Sequence, residues 1–372
     1  MTDFSQIPKV YRDLQKRLDQ FPIGAPETPE LYEILRIVFT DEEAYVASRM
    51  PLTRVPLEEA VQAVGIDREP LLEILERMAE KGVVINLEKA GRTVYGLQGT
   101  LTGFFEFAFQ KPRAGWPMER LAELTHRYFY EGGHADDFMK LRTPRIRAVS
   151  LNRALKRKPS EIKPYEEIEE IVKASGGGAI LKCYCRHKAL LRGEPCEHPI
   201  DLCLSLGRGA EFLASRGMGR KASVEELMDK VVQAEELGLV HAVDNFQDRA
   251  SLICNCCKCS CEFLGWMNHA RMPGSVQPSN FLPKIDTELC IGCGACAERC
   301  PVDAVAVEGD LEPVARVDEA WCLGCGVCET ACPKGAISLV RRSEVVEPPK
   351  DMRSLWQLIS EAKQAAKRDR VP

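Results

Sequence analysis

The stretch Cys290-Ile-Gly-Cys293-Gly-Ala-Cys296-Ala-Glu-Arg-Cys300-Pro301 is answered, after a spacer, by Cys322-Leu-Gly-Cys325-Gly-Val-Cys328-Glu-Thr-Ala-Cys332-Pro333. Each half is a C-x2-C-x2-C-x3-C-P run. Three thiolates at this spacing converge on three corners of one [4Fe–4S] cube, while the fourth Cys crosses to the neighbouring cube. The spacing therefore assigns Cys290, Cys293, Cys296 and Cys332 to one cluster. Cys322, Cys325, Cys328 and Cys300 take the other. The glycines between the ligands let the backbone wrap close to the sulfurs. Pro301 and Pro333 stop a helix from running on past each fourth Cys. Ile291, Val302, Leu323 and Val327 supply an apolar wall against water.

The two halves are also a repeat. Ile285-Asp-Thr-Glu-Leu-Cys290 aligns with Val317-Asp-Glu-Ala-Trp-Cys322, and Ala304-Val-Ala-Val with Ala336-Ile-Ser-Leu. Swapped fourth ligands in a short repeat imply a unit with two-fold pseudo-symmetry. At all eight cysteines, residues 283–341 resemble the bacterial two-[4Fe–4S] ferredoxin domain. The alternatives for such a thiol-rich stretch are a zinc site or disulfides, and the double spacing disfavours both.

The chain has 372 residues, enough for two or three domains with real cores. Seventeen Cys point to metal rather than disulfides, as in a reducing compartment. Met1-Thr-Asp-Phe-Ser has neither a basic start nor an apolar run, and no stretch reaches membrane-spanning length. The expectation is a cytoplasmic protein with no membrane span. A net charge of −5 argues against a general nucleic-acid binder.

The expected fold class is α+β multidomain. Residues 1–110 read as helices over Leu31–Phe39, Glu42–Arg49, Pro56–Val64 and Asp67–Lys81. Two strands follow, Val83–Leu87 and Thr93–Leu97. Thr40-Asp-Glu-Glu43 is a capping signature, and Gly82 a stop. Helices followed by a hairpin resemble a winged helix–turn–helix domain. Its groove-facing helix would carry Asp67, Glu69, Glu73, Glu76 and Glu80 against only Arg68, Arg77 and Lys81. Acids there repel phosphates, so the resemblance favours protein contact over DNA.

Residues 111–178 read as a helical connector. The aromatic run Phe104–Phe109 just before it is expected to be buried. A basic run, Arg142, Arg145, Arg147, Arg153, Lys156, Arg157 and Lys158, lacks interleaved aromatics. It is expected to form a solvated face, or to dock the acidic C-terminal part. Ser175-Gly-Gly-Gly178 lacks the Lys-Ser/Thr of a phosphate loop and is taken as a turn.

Residues 179–271 form a second cysteine field. Ala179–Lys182 reads as a strand leading into Cys183-Tyr-Cys185-Arg-His187. Cys196 and Cys203 follow, then Cys254-Asn-Cys256-Cys257-Lys-Cys259-Ser-Cys261. In an extended segment, residues i and i+2 project from one side, so each C-x-C pair can face one centre. Arg186 and Lys258 would offset thiolate charge. One or two further [4Fe–4S] clusters, a zinc site, or no stable metal all fit nine such thiols. His187, His198 and His269 are minor ligand candidates.

Met272–Asn280 reads as a Pro/Gly/Ser linker. Residues 350–372 read as a helix with Leu355, Trp356, Leu358 and Ile359 near one face, covering the chain itself or a partner.

The Cys-x-Cys-Arg motif, Gly238-Leu-Val-His241, Asn245 and Ile-Cys-Asn-Cys-Cys together resemble multi-domain 4Fe–4S ferredoxin-type proteins of anaerobes. That resemblance implies an electron-transfer role and names no partner enzyme. Paired cubes read as one-electron stations of a subunit in a larger anaerobic oxidoreductase complex, and flavin or metal oxidoreductase subunits are the expected partners because a carrier needs a donor and an acceptor. No pocket with a nucleophile and base is visible, so a catalytic role is uncertain. A redox-sensing winged-helix regulator, or an enzyme using an unusual cluster in the middle domain, are the alternatives.

Overall fold

The computed structural model describes residues 4–139, 143–150, 162–270 and 275–369. Five helices open it: Lys9–Leu18, Pro29–Val38, Asp41–Arg49, Leu57–Val64 and Arg68–Lys81. At Thr40 the capping signature is made reciprocally. The Glu43 N–H donates to Thr40 Oγ1 at 3.2 Å, and the Thr40 N–H to Glu43 Oε2 at 2.9 Å. Two donors that a helix start leaves open are thereby satisfied. The helix Arg68–Lys81 ends at Gly82, whose φ of 78° is left-handed backbone.

The strands Val84–Lys89 and Arg92–Leu97 form the hairpin, with Val84 opposite Leu97 and Lys89 opposite Arg92. Val55–Pro56 adds a third, two-residue strand. Three of the four phenylalanines of the aromatic run are buried: Phe104, Phe105 and Phe109 are at most 2% exposed, while Phe107 is half-buried. Phe104 meets Phe39 and Phe105 edge-on, and Phe105 meets Tyr128 likewise. Such pairs add about 0.5–1.5 kcal/mol each beyond their burial. Tyr128 comes from the helix Met118–Tyr130, which packs on this first core.

Seven strands build the central sheet. Their order is Val276–Gln277, Ile146–Ala148, Val240–Asp244, Leu252–Cys256, Cys203–Leu206, Gly178–Leu181 and Gly219–Ala222. The first pair is parallel and the other neighbours are antiparallel. Alternation along Ala179-Ile-Leu181 sends Ile180 to one face, under the helices Ile168–Ser175 and Val224–Glu236. Ala179 and Leu181 face the helix Gly207–Ser215.

Two expectations are corrected here. Arg145 and Arg147 do not lie on a solvated face; they are 4% and 5% exposed. Arg145 Nη1 donates to Asp244 Oδ1, and Arg147 stacks over the Tyr165 ring. A carboxylate and an aromatic face replace the water they lose. Arg142, Arg153, Lys156, Arg157 and Lys158 lie outside the described residues. Nor is Met272–Asn280 simply a linker. Val276 and Gln277 add an edge strand to the sheet, while Ser279 and Asn280 are buried; residues 272–274 lie outside the described ones.

In the C-terminal part, Phe281–Ile285 pairs antiparallel with Ile337–Arg341, and Val305–Glu308 with Val314–Val317. The helix Met352–Asp369 follows. Its Leu355 and Ile359 are buried with Phe129, Phe246 and Trp321, while Leu358 stays exposed. The tail therefore covers its own chain. Lys363 Nζ reaches back to the Ile23 carbonyl at 3.3 Å. Among the described residues, no helix is long and apolar enough to cross a membrane.

Candidate metal centres

The sequence repeat is a structural one. The strand that opens the first repeat pairs with the strand that closes the second, and the two inner strands pair with each other. The Asp286 N–H donates to Ala336 O at 2.8 Å, and the Asp318 N–H to Ala304 O at 2.8 Å. The Ala304 N–H donates to Cys300 Sγ at 3.2 Å, and the Ala336 N–H to Cys332 Sγ at 3.3 Å. Gly292 and Gly324 share a φ of 63°. A Cβ on Gly324 would stand 2.1 Å from the Phe281 carbonyl oxygen, so this loop admits only glycine.

Cys290, Cys293, Cys296 and Cys332 line one cavity, with Ile291, Ala315 and Ile337 as part of its wall. Cys300, Cys322, Cys325 and Cys328 are gathered in a second set, where their charges interact. Burial pushes the Cys325 thiol up to about 12 and the Cys328 thiol up as well. Thiolates in so apolar a place need a cation beside them, which a bound cluster supplies. The donor set and the inward N–H···S bonds fit an iron–sulfur cube. None of the seventeen cysteines is in a disulfide.

The nine cysteines of the second field come together in two groups. Cys183, Cys185, Cys203, Cys254, Cys256 and Cys261 form a closed ring in which each thiol interacts with two others. Cys203 heads a sheet strand, and Cys254 and Cys256 share one face of the neighbouring strand Leu252–Cys256. The other three stand at helix starts. Cys183 precedes the helix Tyr184–Leu191, Cys185 lies in its first turn, and Cys261 precedes Glu262–Ala270. Cys183 and Cys185 do meet, on a helical turn rather than an extended segment.

Hydrogen bonding from two neighbours favours the thiolate at Cys183, at Cys254 (lowered to about 6) and at Cys261. The three between them, Cys185, Cys203 and Cys256, are pushed up by the same interactions. Backbone N–H groups of Phe263 and Leu264 add to the effect at Cys261, as a helix start does for an anion.

Several side chains fix the frame. The Arg186 guanidinium donates to Pro199 O at 3.0 Å and Asn255 O at 2.8 Å, beside Cys183 and Cys257. Asn255 Nδ2 donates to Leu202 O at 2.7 Å, and its other amide atom meets His241 Nδ1 at 2.6 Å. Lys188 and Glu262 form a buried ion pair next to Cys261. The sequence reading quotes Asn255 within a motif but assigns it no role, and it passes over Lys188 and Glu262. The only signal for them was polar residues within a buried, Cys-rich run.

Cys196, Cys257 and Cys259 form the second group, with all three sulfurs within 4.8 Å of one another. A cavity of about 500 Å³ adjoins it, lined by Cys257, His198 and Lys258 on one side and by Arg299, Cys300 and Pro301 on the other. Lys258 Nζ pairs with Asp303 at 2.6 Å, so this loop is tied to the C-terminal repeat. Of the minor histidine candidates, His187 turns Nδ1 to the Phe109 carbonyl at 2.6 Å. His269 stacks near Tyr130 and Trp266. Only His198 lines the cavity.

Residues 278–339 match the family model of the 4Fe–4S dicluster domain. The ferredoxin-type protein NapF of Escherichia coli strain K12 is 38% identical over 58 residues, as are its counterparts in two further Escherichia coli strains. The aligned part is 16% of this chain and 32% of the relative, so the chain spans about a third of the length of the curated relatives it matches. The C-terminal part of the chain is thus a 4Fe–4S dicluster domain of ferredoxin type, which supports an iron–sulfur role in electron transfer.

Proposed function

We propose that the chain is an iron–sulfur electron carrier, a ferredoxin-type subunit relaying single electrons within a larger cytoplasmic oxidoreductase complex. Two symmetry-related four-cysteine sets carry this reading. Cys290, Cys293, Cys296 and Cys332 hold one [4Fe–4S] cluster, and Cys322, Cys325, Cys328 and Cys300 the other. Bound cubes supply one-electron redox chemistry. The chain's own part is to exclude water, offer N–H groups to the sulfurs and fix the separation of the two sets. Cys296 and Cys328, one from each set, are close enough for their charges to interact.

The six-thiol ring is the seat of a further iron–sulfur centre. Cys256 and Cys261 of the ring share one buried apolar core with Cys296, Cys300, Cys322 and Cys328. An electron leaving the ring therefore meets the dicluster domain without crossing water. A flavin- or metal-containing oxidoreductase subunit is the partner class, since a carrier needs a donor and an acceptor.

The N-terminal part serves as a winged-helix-like contact domain rather than a DNA reader. Glu76 and Glu80 of its acidic helix accept from Arg216 at 2.6 and 2.7 Å, so this face is engaged within the chain.

Iron and acid-labile sulfide counted on anaerobically purified protein test the proposal. About eight irons per chain mean the dicluster pair alone, and about twelve add a cluster in the ring, at four irons per cube. Colourless, iron-free protein, or a carrier that exchanges electrons with no reductase, sinks it.

A further inference from the structure

The nine thiols of the middle domain could be shared between two ordinary cubes with one to spare. The structure argues against that division. In the dicluster domain, where four thiolates belong to separate irons of a cube, no three sulfurs come within 4.8 Å of one another; among the described residues only Cys196, Cys257 and Cys259 do so. Cys196 Sγ lies 3.2 Å from Cys259 Sγ and 3.7 Å from Cys257 Sγ. Thiolates on a single tetrahedral ion, each about 2.3 Å from the metal, sit roughly 3.8 Å apart. The triad has the size of one ion.

We infer that Cys196, Cys257 and Cys259 form a mononuclear thiolate site for a zinc-class divalent ion, separate from the six-thiol ring, with its fourth position supplied from the adjoining cavity. The inference rests on the proposal that the middle domain binds metal, and it settles which thiols do what. Soft thiolates in tetrahedral array select zinc among common divalent ions. Three protein ligands and one open place are the pattern of zinc sites that bind an external molecule.

The surroundings fit that role. Cys257 lines the cavity beside His198, whose imidazole burial holds in the neutral form, and the basic side chains are Arg299 and Lys258, the latter paired with Asp303, against one acid, Glu298. A water, hydroxide or small anion suits that lining. His198 stands two residues from Cys196, but its ring nitrogens do not join the group of three sulfurs within 4.8 Å. The far wall is Cys300, assigned above to a [4Fe–4S] cluster. A ligand on the ion would occupy the same cavity that borders the electron carrier. Lys258–Asp303 and the Asn268 amide, donating to the Pro301 carbonyl at 3.0 Å, hold the two walls in place.

The experiment uses the full chain, purified without air or chelator. Zinc and iron are counted, and the zinc environment is read by X-ray absorption at the zinc edge. The expected result is about one zinc per chain, with three sulfurs near 2.3 Å and one oxygen or nitrogen donor. Cys259→Ser, at an exposed position, should lower zinc content at least tenfold and leave the iron count and the visible spectrum unchanged. His198→Ala should leave the light-atom donor in place.

Four sulfur ligands, no zinc in iron-replete protein, or loss of iron rather than zinc in Cys259→Ser would each overturn the inference. Loss of the light-atom donor in His198→Ala would overturn the open position. Should Cys259→Ser fail to fold, the absorption spectrum of the unmodified protein decides alone. An iron count of about eight or more with no zinc rejects this site yet keeps the carrier reading; absence of both rejects the carrier reading itself.

Discussion

Arg145 and Asp244 form an ion pair sealed inside the protein, with side chains 3% and 0% exposed. Asp244 Oδ2 also accepts from the Ser251 N–H and hydroxyl, while the Arg145 guanidinium lies 5.0 Å from the Trp356 ring centre. One pair thus joins the sheet, the turn before Leu252–Cys256 and the C-terminal helix. Asp244→Ala would remove the buried carboxylate that faces this guanidinium, at a cost of about 3–5 kcal/mol. Denaturant unfolding of anaerobic protein should show the drop as a lower midpoint. The exposed pair Lys258–Asp303 is the control, and Lys258→Ala should cost less than about 1 kcal/mol.

Two glycines of the dicluster domain separate steric from conformational need. Gly324→Ala puts a Cβ against the Phe281 carbonyl at 2.1 Å, whereas a Cβ on Gly294 meets nothing within 4 Å. Both have positive φ, 63° and 80°. Gly294→Ala should therefore cost only the backbone term, about 1–2 kcal/mol, and keep both clusters. Gly324→Ala must move backbone and should lose the signal of the cluster bound by Cys322, Cys325, Cys328 and Cys300. Iron content and low-temperature electron spin resonance of the reduced proteins check this.

The crossed ligand assignment has its own signature. Cys332→Ala should remove or convert the cluster of Cys290, Cys293 and Cys296, although Cys332 belongs to the other repeat. Cys300→Ala should do the reverse. If each variant instead loses the cluster of its own repeat, the fourth ligands do not cross.

These contrasts show what was legible beforehand. In the dicluster domain, ligand and glycine lie within a few residues of each other, so local spacing carries the geometry. In the middle domain Cys203 reaches Cys254 only because Leu204 pairs with Ile253 on the neighbouring strand. Strand order is a property of the whole sheet, and a spacing of about fifty residues says nothing about it. The same holds for Arg145, whose partner lies 99 residues away. A charged residue in a basic run reads as solvated until the carboxylate that pairs with it is placed. C-x-C at Cys183 and Cys185 suits a strand; the chain instead starts a helix at Tyr184, and the helix start also favours thiolates. The capping signature at Thr40 is legible because its two partners sit three residues apart.

Acid should weaken the N-terminal half through His134. This residue is fully buried, and burial lowers its pKa to about 3, with Lys363 adding to the effect. Its Nε2 lies 2.9 Å from Thr100 Oγ1, whose hydroxyl donates to the Gly24 carbonyl at 2.9 Å. The unfolded chain titrates near 6.5. Above that pH both states are neutral and the contribution to stability is complete. Between about 6.5 and 3 the unfolded state binds a proton that the folded state refuses, so stability falls as pH drops through this window, by up to a few kcal/mol. His134→Gln should flatten this slope, measured as the unfolding midpoint from pH 7 to pH 5 under anaerobic conditions. An unchanged slope would mean that His134 is not the group responsible.

Arg216 ties the acidic helix Arg68–Lys81 to the middle domain. Its guanidinium donates to Glu76 Oε2 at 2.6 Å and to Glu80 Oε1 at 2.7 Å, and Lys111 adds a 3.0 Å contact to Glu80. The arginine is mostly buried while the acids are about half exposed, so the network is worth on the order of 1–2 kcal/mol and is sensitive to salt. Arg216→Ala should leave iron content unchanged, because no cysteine depends on it, and should speed limited proteolysis between residues 82 and 118. The variant also tests the reading of this helix as a contact surface. Freed of Arg216, its face carries Glu76 without its arginine and Glu80 held by Lys111 alone, and it should still fail to shift duplex DNA at low salt. Salt-sensitive DNA binding by the variant would restore the regulator as the better account of the N-terminal domain.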